Sequence, residues 1–431
     1  MMEKNSPWLV CLSAALFFFY EFIQGNMFSS IASDVMADFH IHAKAYSWLT
    51  SIYFLANVIF LFPAGALLDR YSTKRIILIS LGSCVAGTFL FAGAYHYSVA
   101  LLSRFMTGIG SAFCFLSCVR LASRWFPSNK LALATGVIVT FAMTGGMVAQ
   151  TPLTLLIEHF DWRTAIVIDA FFGVFIFLLI ALLVKDYPPG KAFLHDEHKA
   201  ALKQKGLLKS FQEAYLNVQN ILCAFYTSLM NMPIVLLGAM AGGIFLTQAE
   251  HFSRTEASYA TSFLFIGTII GGPLAGWLSD RCRRRRIFMI GGTLLSLGSA
   301  MVLMTVHPLT VSSAITLFFL LGLFTSTQVL SYPKVAESNP HELTATAVSI
   351  ISIITQGGPV LYQNLFGALL HAGWDGKMLE GVPVYTYANY HQALAIIPAA
   401  FVLALLAALL LKREKAILWT AANEPIYKDS L

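Results

Sequence analysis

Apolar runs of about 20 residues, the length that crosses a hydrocarbon layer of roughly 30 Å, recur along the chain with short polar intervals between them. They fall near 8–32, 46–68, 76–94, 99–123, 131–156 and 163–184. After a longer polar stretch they resume near 217–247, 257–279, 287–306, 310–333, 343–370 and 391–411. The pattern predicts an all-α membrane protein of twelve transmembrane helices. Gly and Pro inside several runs fit this reading, because neighbouring helices satisfy the backbone groups they free. The intervals divide the chain into a six-helix unit over 1–184, a linker over 185–216, and a second six-helix unit with a tail over 217–431.

Composition agrees with the pattern. Of 431 residues 57% are hydrophobic and only 12% charged, and the mean hydropathy is +0.69. A water-soluble domain needs far more charge to cover its surface. The run that begins near Trp8 continues past Phe18 to Ile31, longer than the apolar part of a secretion signal, and no clear A-x-A cleavage pattern directly follows it. It reads as the first membrane helix.

Lys and Arg are distributed unevenly between the two sets of loops. Lys44, Arg163, Arg254 and Lys377 fall on one side, whereas Lys4, Lys74, Arg75, Arg124, Lys130, the lysines from 185 to 209, the arginines from 281 to 286, and Lys412 to Lys428 fall on the other. The positive-inside rule predicts both termini in the cytoplasm. The net charge of +6 is then a topology signal, and no nucleic-acid partner is expected. The linker alternates charge with Leu and Phe, which predicts a short amphipathic helix on the membrane surface. The six cysteines lie in predicted helices or an inner loop, so no disulfide framework is expected. Cys114 and Cys118 are one helical turn apart but lack further ligands, so packing is expected there and no metal site. No N-x-S/T sequon occurs, in keeping with a bacterial inner membrane. There is no nucleotide-binding loop, zinc spacing or catalytic triad, so neither an enzyme nor a cofactor is expected.

A repeat links the halves. Gly65-Ala-Leu-Leu-Asp69-Arg70-Tyr-Ser-Thr-Lys74-Arg75 follows the second helix, and Gly276-Trp-Leu-Ser-Asp280-Arg281-Cys-Arg-Arg-Arg285-Arg286 follows the eighth. Both read G-x-x-x-D-R-x-x-x-[KR]-R, displaced by the same 211 residues (65 to 276, 69 to 280, 75 to 286). Gly145-Gly146 and Gly357-Gly358 echo one another more loosely. A second pattern stands in the fourth helix, Arg104-Phe-Met-Thr-Gly108-Ile-Gly110-Ser-Ala112, or R-x-x-x-G-x-G-x-A.

On these motifs the sequence resembles the major facilitator superfamily over nearly its whole length. The resemblance implies two pseudo-symmetric six-helix bundles rocking around a central cavity. It implies that Gly65 and Gly276 allow close helix contact. It also implies that Asp69 and Asp280, with Arg70, Arg75 and Arg281, cap and charge-pair a neighbouring helix end to latch the inner gate. An aspartate is stabilised by helix N-terminal amides and guanidinium groups, so local physics agrees; the simpler alternative is that these charges only set topology.

In the family the arginine of the second pattern often faces a carboxylate on the first helix, and Glu21 is available here. Counted at 1.5 Å per residue, Glu21 lies roughly 20 Å from the inner face and Arg104 roughly 22 Å, so the depths agree. A carboxylate at that depth is a functional hypothesis by default: its protonation, coupled to substrate occupancy, would make a proton-coupled transporter. A static tie between helices is the alternative. Asp169, near the outer end of the sixth helix, ranks after Glu21. Further cavity candidates are Tyr20, Gln24, Asn26, Asn57, Gln150, Asn231, Gln328, Gln356 and Tyr362, with Gln363 and Asn364 nearby; buried amides also serve as interhelical glue.

The mid-membrane arginines of organophosphate and nitrate porters, the P-E-S-P-R element of sugar porters, the E-x-x-E-R of peptide transporters and the G-P-x-x-G-G of drug antiporters have no counterpart. Arg124-Trp-Phe-Pro127 does look like the loop after the fourth helix in anion and sugar-phosphate relatives. By elimination the expectation is a monomer that imports a small polar or zwitterionic metabolite together with protons. A passive facilitator, an exporter and a transporter-like nutrient sensor would keep the same fold.

Overall fold

The computed structural model describes residues 6–188, 217–282, 284–339, 344–379 and 381–412. The expected amphipathic helix of the linker therefore lies largely outside the described residues. Among these residues twelve helical spans run back and forth, and ten are long and apolar enough to cross a membrane by length and composition. Ala43–Arg70 and Thr344–Ala372, at 28 and 29 residues, complete the twelve.

Several spans are interrupted near their middle. The first breaks at Met27, between Pro7–Asn26 and Phe28–Asp38. The fourth breaks between Tyr97–Ser111 and Cys114–Trp125. The fifth breaks at Gln150, where Pro152 sits in the first turn of Thr151–Phe160. The seventh carries a π-helical stretch, Ile234–Ala241, between Val218–Met230 and Gly242–Ala249. The second and eighth keep their helices through Pro63 and Pro273. Neighbouring spans and Ser or Thr hydroxyls supply the missing backbone partners in such places.

Small residues set how closely the spans approach. A Cβ on Gly108 would collide with the Tyr53 carbonyl of the second span, and one on Gly110 with Ser80 and Cys84 of the third. The fourth span is thereby wedged between those two, which brings Arg104, one turn before Gly108, against the first and second spans. The glycines of the R-x-x-x-G-x-G-x-A pattern thus act in packing.

For orientation, the terminal end is the one where the first span begins and the twelfth ends, and the distal end carries the turns near 40, 95, 161, 251, 308 and 380. At the distal end Asp161 adopts φ 88 and ψ 158, outside the left-handed helical region that Asp tolerates and in one that favours glycine. Its carboxylate caps the sixth span, accepting from the Thr164 N–H at 2.9 Å and hydroxyl at 2.8 Å. A two-stranded ribbon, Met378–Leu379 with Val382–Pro383, precedes the twelfth span.

Candidate functional site

Tyr20, Glu21 and Gln24 occupy one face of the first span at helical spacing, and all three are buried. Glu21 accepts hydrogen bonds from the Cys84 thiol of the third span and, at 3.2 Å, from the Tyr53 hydroxyl of the second. The Gln24 side-chain amide donates to Asp169 of the sixth span. The Thr88 hydroxyl, one turn beyond Cys84, lies 3.0 Å from Gln24 Oε1 and 2.9 Å from the Cys84 carbonyl. Tyr20 donates to Thr88 at 3.2 Å. Two membrane carboxylates thus belong to one polar cluster inside the first six-helix unit, Glu21 1% exposed and Asp169 8%.

Arg104 completes the cluster. Its Nη2 donates to the Gln24 carbonyl at 2.9 Å, and its guanidinium carbon lies 4.7 Å from the ring centre of Phe28 and 4.8 Å from that of Tyr53. Among the described residues Nε and Nη1 have no hydrogen-bond partner. The direct Glu21–Arg104 ion pair expected from the depths is not formed in this state. The two charges sit at one level, but Tyr53 touches both, and aromatic faces with a backbone carbonyl take the place of the carboxylate. Tyr20 and Gln24, expected in the central cavity, instead point into this intra-bundle cluster; their bonds to Thr88 and Asp169 account for the difference.

The remaining cavity candidates divide. Asn26 bonds its own helix at the Phe22 carbonyl, 2.7 Å away, and its carbonyl accepts from Gln150 at 3.1 Å. Asn57 bonds Ser111 within the first unit and meets Gln356 of the eleventh span at 3.4 Å across the two units. Among the described residues the side-chain amides of Asn231 and Gln328 find no partner, and neither does the Tyr362 hydroxyl. Gln363 and Asn364 reach across to Thr50 and Ser51, at 3.1 and 2.8 Å.

At the distal end the units are tied by many bonds. Arg254 at the start of the eighth span pairs with Asp34. Tyr46 donates to the carbonyls of Phe28 at 2.6 Å and Met240 at 3.1 Å, the Gly243 N–H bonds Ser29 at 3.0 Å, and the Ala43 N–H bonds Tyr385 at 2.9 Å. At the terminal end the bonds described stay within each unit: Arg124 to Thr73 at 3.0 Å, Lys334 to the Lys412 carbonyl at 3.0 Å, and Asn217 to Asn339 at 3.0 Å.

The repeated loop motif is realised unequally. Asp280 pairs with Arg285 at 2.8 Å, with 65% of the aspartate side chain exposed, so the pair contributes little by itself. Arg281 lies over Trp277 at 5.6 Å. The side chains of Asp69 and Arg70 lie outside the described residues. The close contact expected at Gly65 and Gly276 is not seen among the described residues, none of which stands within 4 Å of a Cβ built on either. The helix-capping carboxylate on the third span is Asp186, which the sequence reading did not single out. It accepts from the Ser72 hydroxyl and from the Lys74 N–H at 2.8 Å, and Arg124 approaches it at 3.8 Å. The Arg75 N–H bonds Ser72 at 3.2 Å. The cue in the sequence is an aspartate two residues beyond the sixth span, close to the start of the third.

Two bundles tied at one end, with buried charges held in one of them, define an integral membrane protein of transporter architecture. The Major Facilitator Superfamily sequence profile matches residues 10–246 and 222–425, and the chain belongs to that family. It is similar to the "Membrane sensor protein UhpC" of Salmonella typhimurium, 22% identical over 410 residues, covering 90% of this chain and 87% of that protein. It is also similar to a "Putative metabolite transport protein" of Haemophilus influenzae, 24% identical over 406 residues and 91% of each chain. In fold it resembles a bacterial homologue of the human lysosomal transporter Spinster, solved inward-facing and unoccupied, with TM-score 0.73, 18% identity, and 94% and 98% of the two chains covered.

Proposed function

We propose that this secondary-transporter fold imports a small polar or zwitterionic metabolite by alternating access, coupled to protons, from a bacterial inner membrane with both termini in the cytoplasm. The observation that carries the reading is the pair of buried carboxylates, Glu21 and Asp169, gathered with Arg104 around Gln24. Intramembrane charges of this kind are expensive and mark ion pathways. Glu21 is the proposed proton-coupling group and Arg104 its partner through Tyr53. With the terminal end cytoplasmic, the distal ties correspond to a closed outer gate, and the state is read as inward-facing. Asp69 and Asp280 keep their proposed role of latching the inner gate in the opposite state.

The test is accumulation in proteoliposomes under an imposed proton gradient, with and without an uncoupler. Uptake that collapses with the gradient supports the reading; uptake indifferent to it leaves a facilitator. A second reading, a nutrient sensor, is favoured by the likeness to UhpC. It predicts ligand binding with no counterflow.

A further inference from the structure

We infer that the carried solute is uncharged and is recognised through hydroxyl or amide groups, an inference that rests on the transporter reading above. Two observations support it.

The first concerns where the charge is. Among the described residues of the first unit, the charges at mid-membrane depth are Glu21, Asp169 and Arg104, and each is bonded inside that unit. Glu21 and Arg104 are each 1% exposed. Glu21 is held by Tyr53 and Cys84, Asp169 by Gln24, and Arg104 by a carbonyl and two rings. They face one another, and no charged side chain among the described residues stands with the groups where the two units meet at this depth.

The second concerns what does stand there. Asn57 meets Gln356 across the units, and Val58 lies 3.9 Å from a Cβ built on Gly357. On the second unit, Ser228 and the Tyr362 ring both abut Gly358, bringing the seventh and eleventh spans together. The tenth span joins them through the Gln328 carbonyl, 3.4 Å from the Thr227 hydroxyl. Asn231 is one turn beyond Thr227. Tyr362 is only 6% exposed, yet among the described residues its hydroxyl has no partner, and neither do the side-chain amides of the half-buried Asn231 and Gln328. Buried polar groups are paired in the great majority of cases, so an unpaired set at a domain boundary marks where a solute's own groups complete the bonds.

Amides offer both donors and acceptors, and a tyrosine hydroxyl does the same. They match the hydroxyl or amide of a neutral solute bond for bond. A carboxylate or ammonium stripped of water needs a counter-charge in contact, and a zwitterion needs two. Among the described residues this boundary supplies none at that depth.

The experiment is a thermal-shift and counterflow panel on the purified full chain. The probes are monosaccharides, polyols and nucleosides; amino acids; mono- and dicarboxylates; and quaternary amines. Stabilisation is expected from neutral members alone, since a ligand of the native state raises apparent stability. Tyr362→Phe, which keeps the ring, and Gln328→Ala should each weaken that response about tenfold in apparent affinity, the size of one hydrogen bond. A response to charged or zwitterionic members, a response to no member, or a neutral response indifferent to both variants overturns the inference. A neutral member that binds but does not exchange in counterflow leaves the inference standing and removes the transporter reading instead.

Discussion

Tyr53 touches both halves of a divided charge pair: its hydroxyl donates to Glu21 at 3.2 Å, and its ring lies 4.8 Å under the Arg104 guanidinium carbon. Tyr53→Phe keeps the ring and removes the donor, so it should alter the proton dependence of uptake with little loss of stability. Tyr53→Leu also removes the cation–π contact and should lower stability by a further 1 kcal/mol or so, about the worth of such a contact. Equal uptake profiles for wild type and Tyr53→Phe would take Tyr53 out of the coupling path.

Glu21→Gln imitates the protonated acid at nearly constant volume. It should abolish accumulation against a gradient and retain counterflow exchange. If the variant accumulates solute normally and stays sensitive to an uncoupler, the proton passes elsewhere, and Asp169→Asn becomes the decisive variant. Arg104→Ala should be more damaging than either, because it strands Glu21 without a cation in a dry site.

The distal tie between Arg254 and Asp34 is partly exposed, with side chains 29% and 26% accessible. A double-mutant cycle should therefore give only about 0.5–1 kcal/mol for it. Even so, Arg254→Ala should raise labelling of cysteines placed near Ser29 or Gly243, because it unties the units on one side only. Labelling unchanged from wild type would show that Tyr46 and Tyr385 suffice.

His42 and His371, from different units, stack at the distal end with ring centres 5.2 Å apart, and Trp374 packs on both. Lys44 is the further cation acting on His371, while Asp375 is engaged by Lys377 at 2.9 Å. Protonating His371 would set a cation against the His42 ring and toward Lys44, so the tie should weaken as the solution is acidified. Distal cysteine labelling should rise on acidification and lose its pH dependence in His371→Gln. A profile unchanged by the substitution assigns the effect to other groups.

Asp69→Asn should weaken the outward-facing state and raise cysteine accessibility from the terminal end without preventing folding. Asp186→Ala removes the carboxylate at the third span's first turn and should cost about 1 kcal/mol of stability, as capping losses do. Unchanged accessibility together with unchanged uptake in Asp69→Asn would end its assignment as a latch.

The twelve spans were legible because lipid thickness imposes a length and an apolar composition that sequence displays directly, and the family followed from the doubled loop motif. Glu21 and Arg104 could be placed at one depth by counting residues, but depth says nothing about azimuth. Tyr20 and Gln24 therefore read as cavity groups although they turn toward Thr88 and Asp169. Tyr53, Cys84 and Thr88 carry no functional cue in the sequence, since a lone Tyr, Cys or Thr in an apolar run is ordinary until tertiary packing gives it a carboxylate or amide to meet. Asp186 is hidden for the same reason: its hydrogen-bond partners Ser72 and Lys74 are more than a hundred positions away.

The π-helical stretch Ile234–Ala241 stores slack in the seventh span. Bonding from i to i+5 winds the chain more loosely than an α-helix, and one residue taken up or let out turns a helix by about 100° and moves it about 1.5 Å. At the far end of this stretch Met240 accepts from Tyr46, and just beyond it Gly243 is fastened to Ser29. Before it stands Asn231, whose side-chain amide bonds none of the described residues. Rewinding these eight residues would swivel Asn231 while the distal clasp holds, so the Asn231 end of this helix can turn like a key in a lock that stays shut.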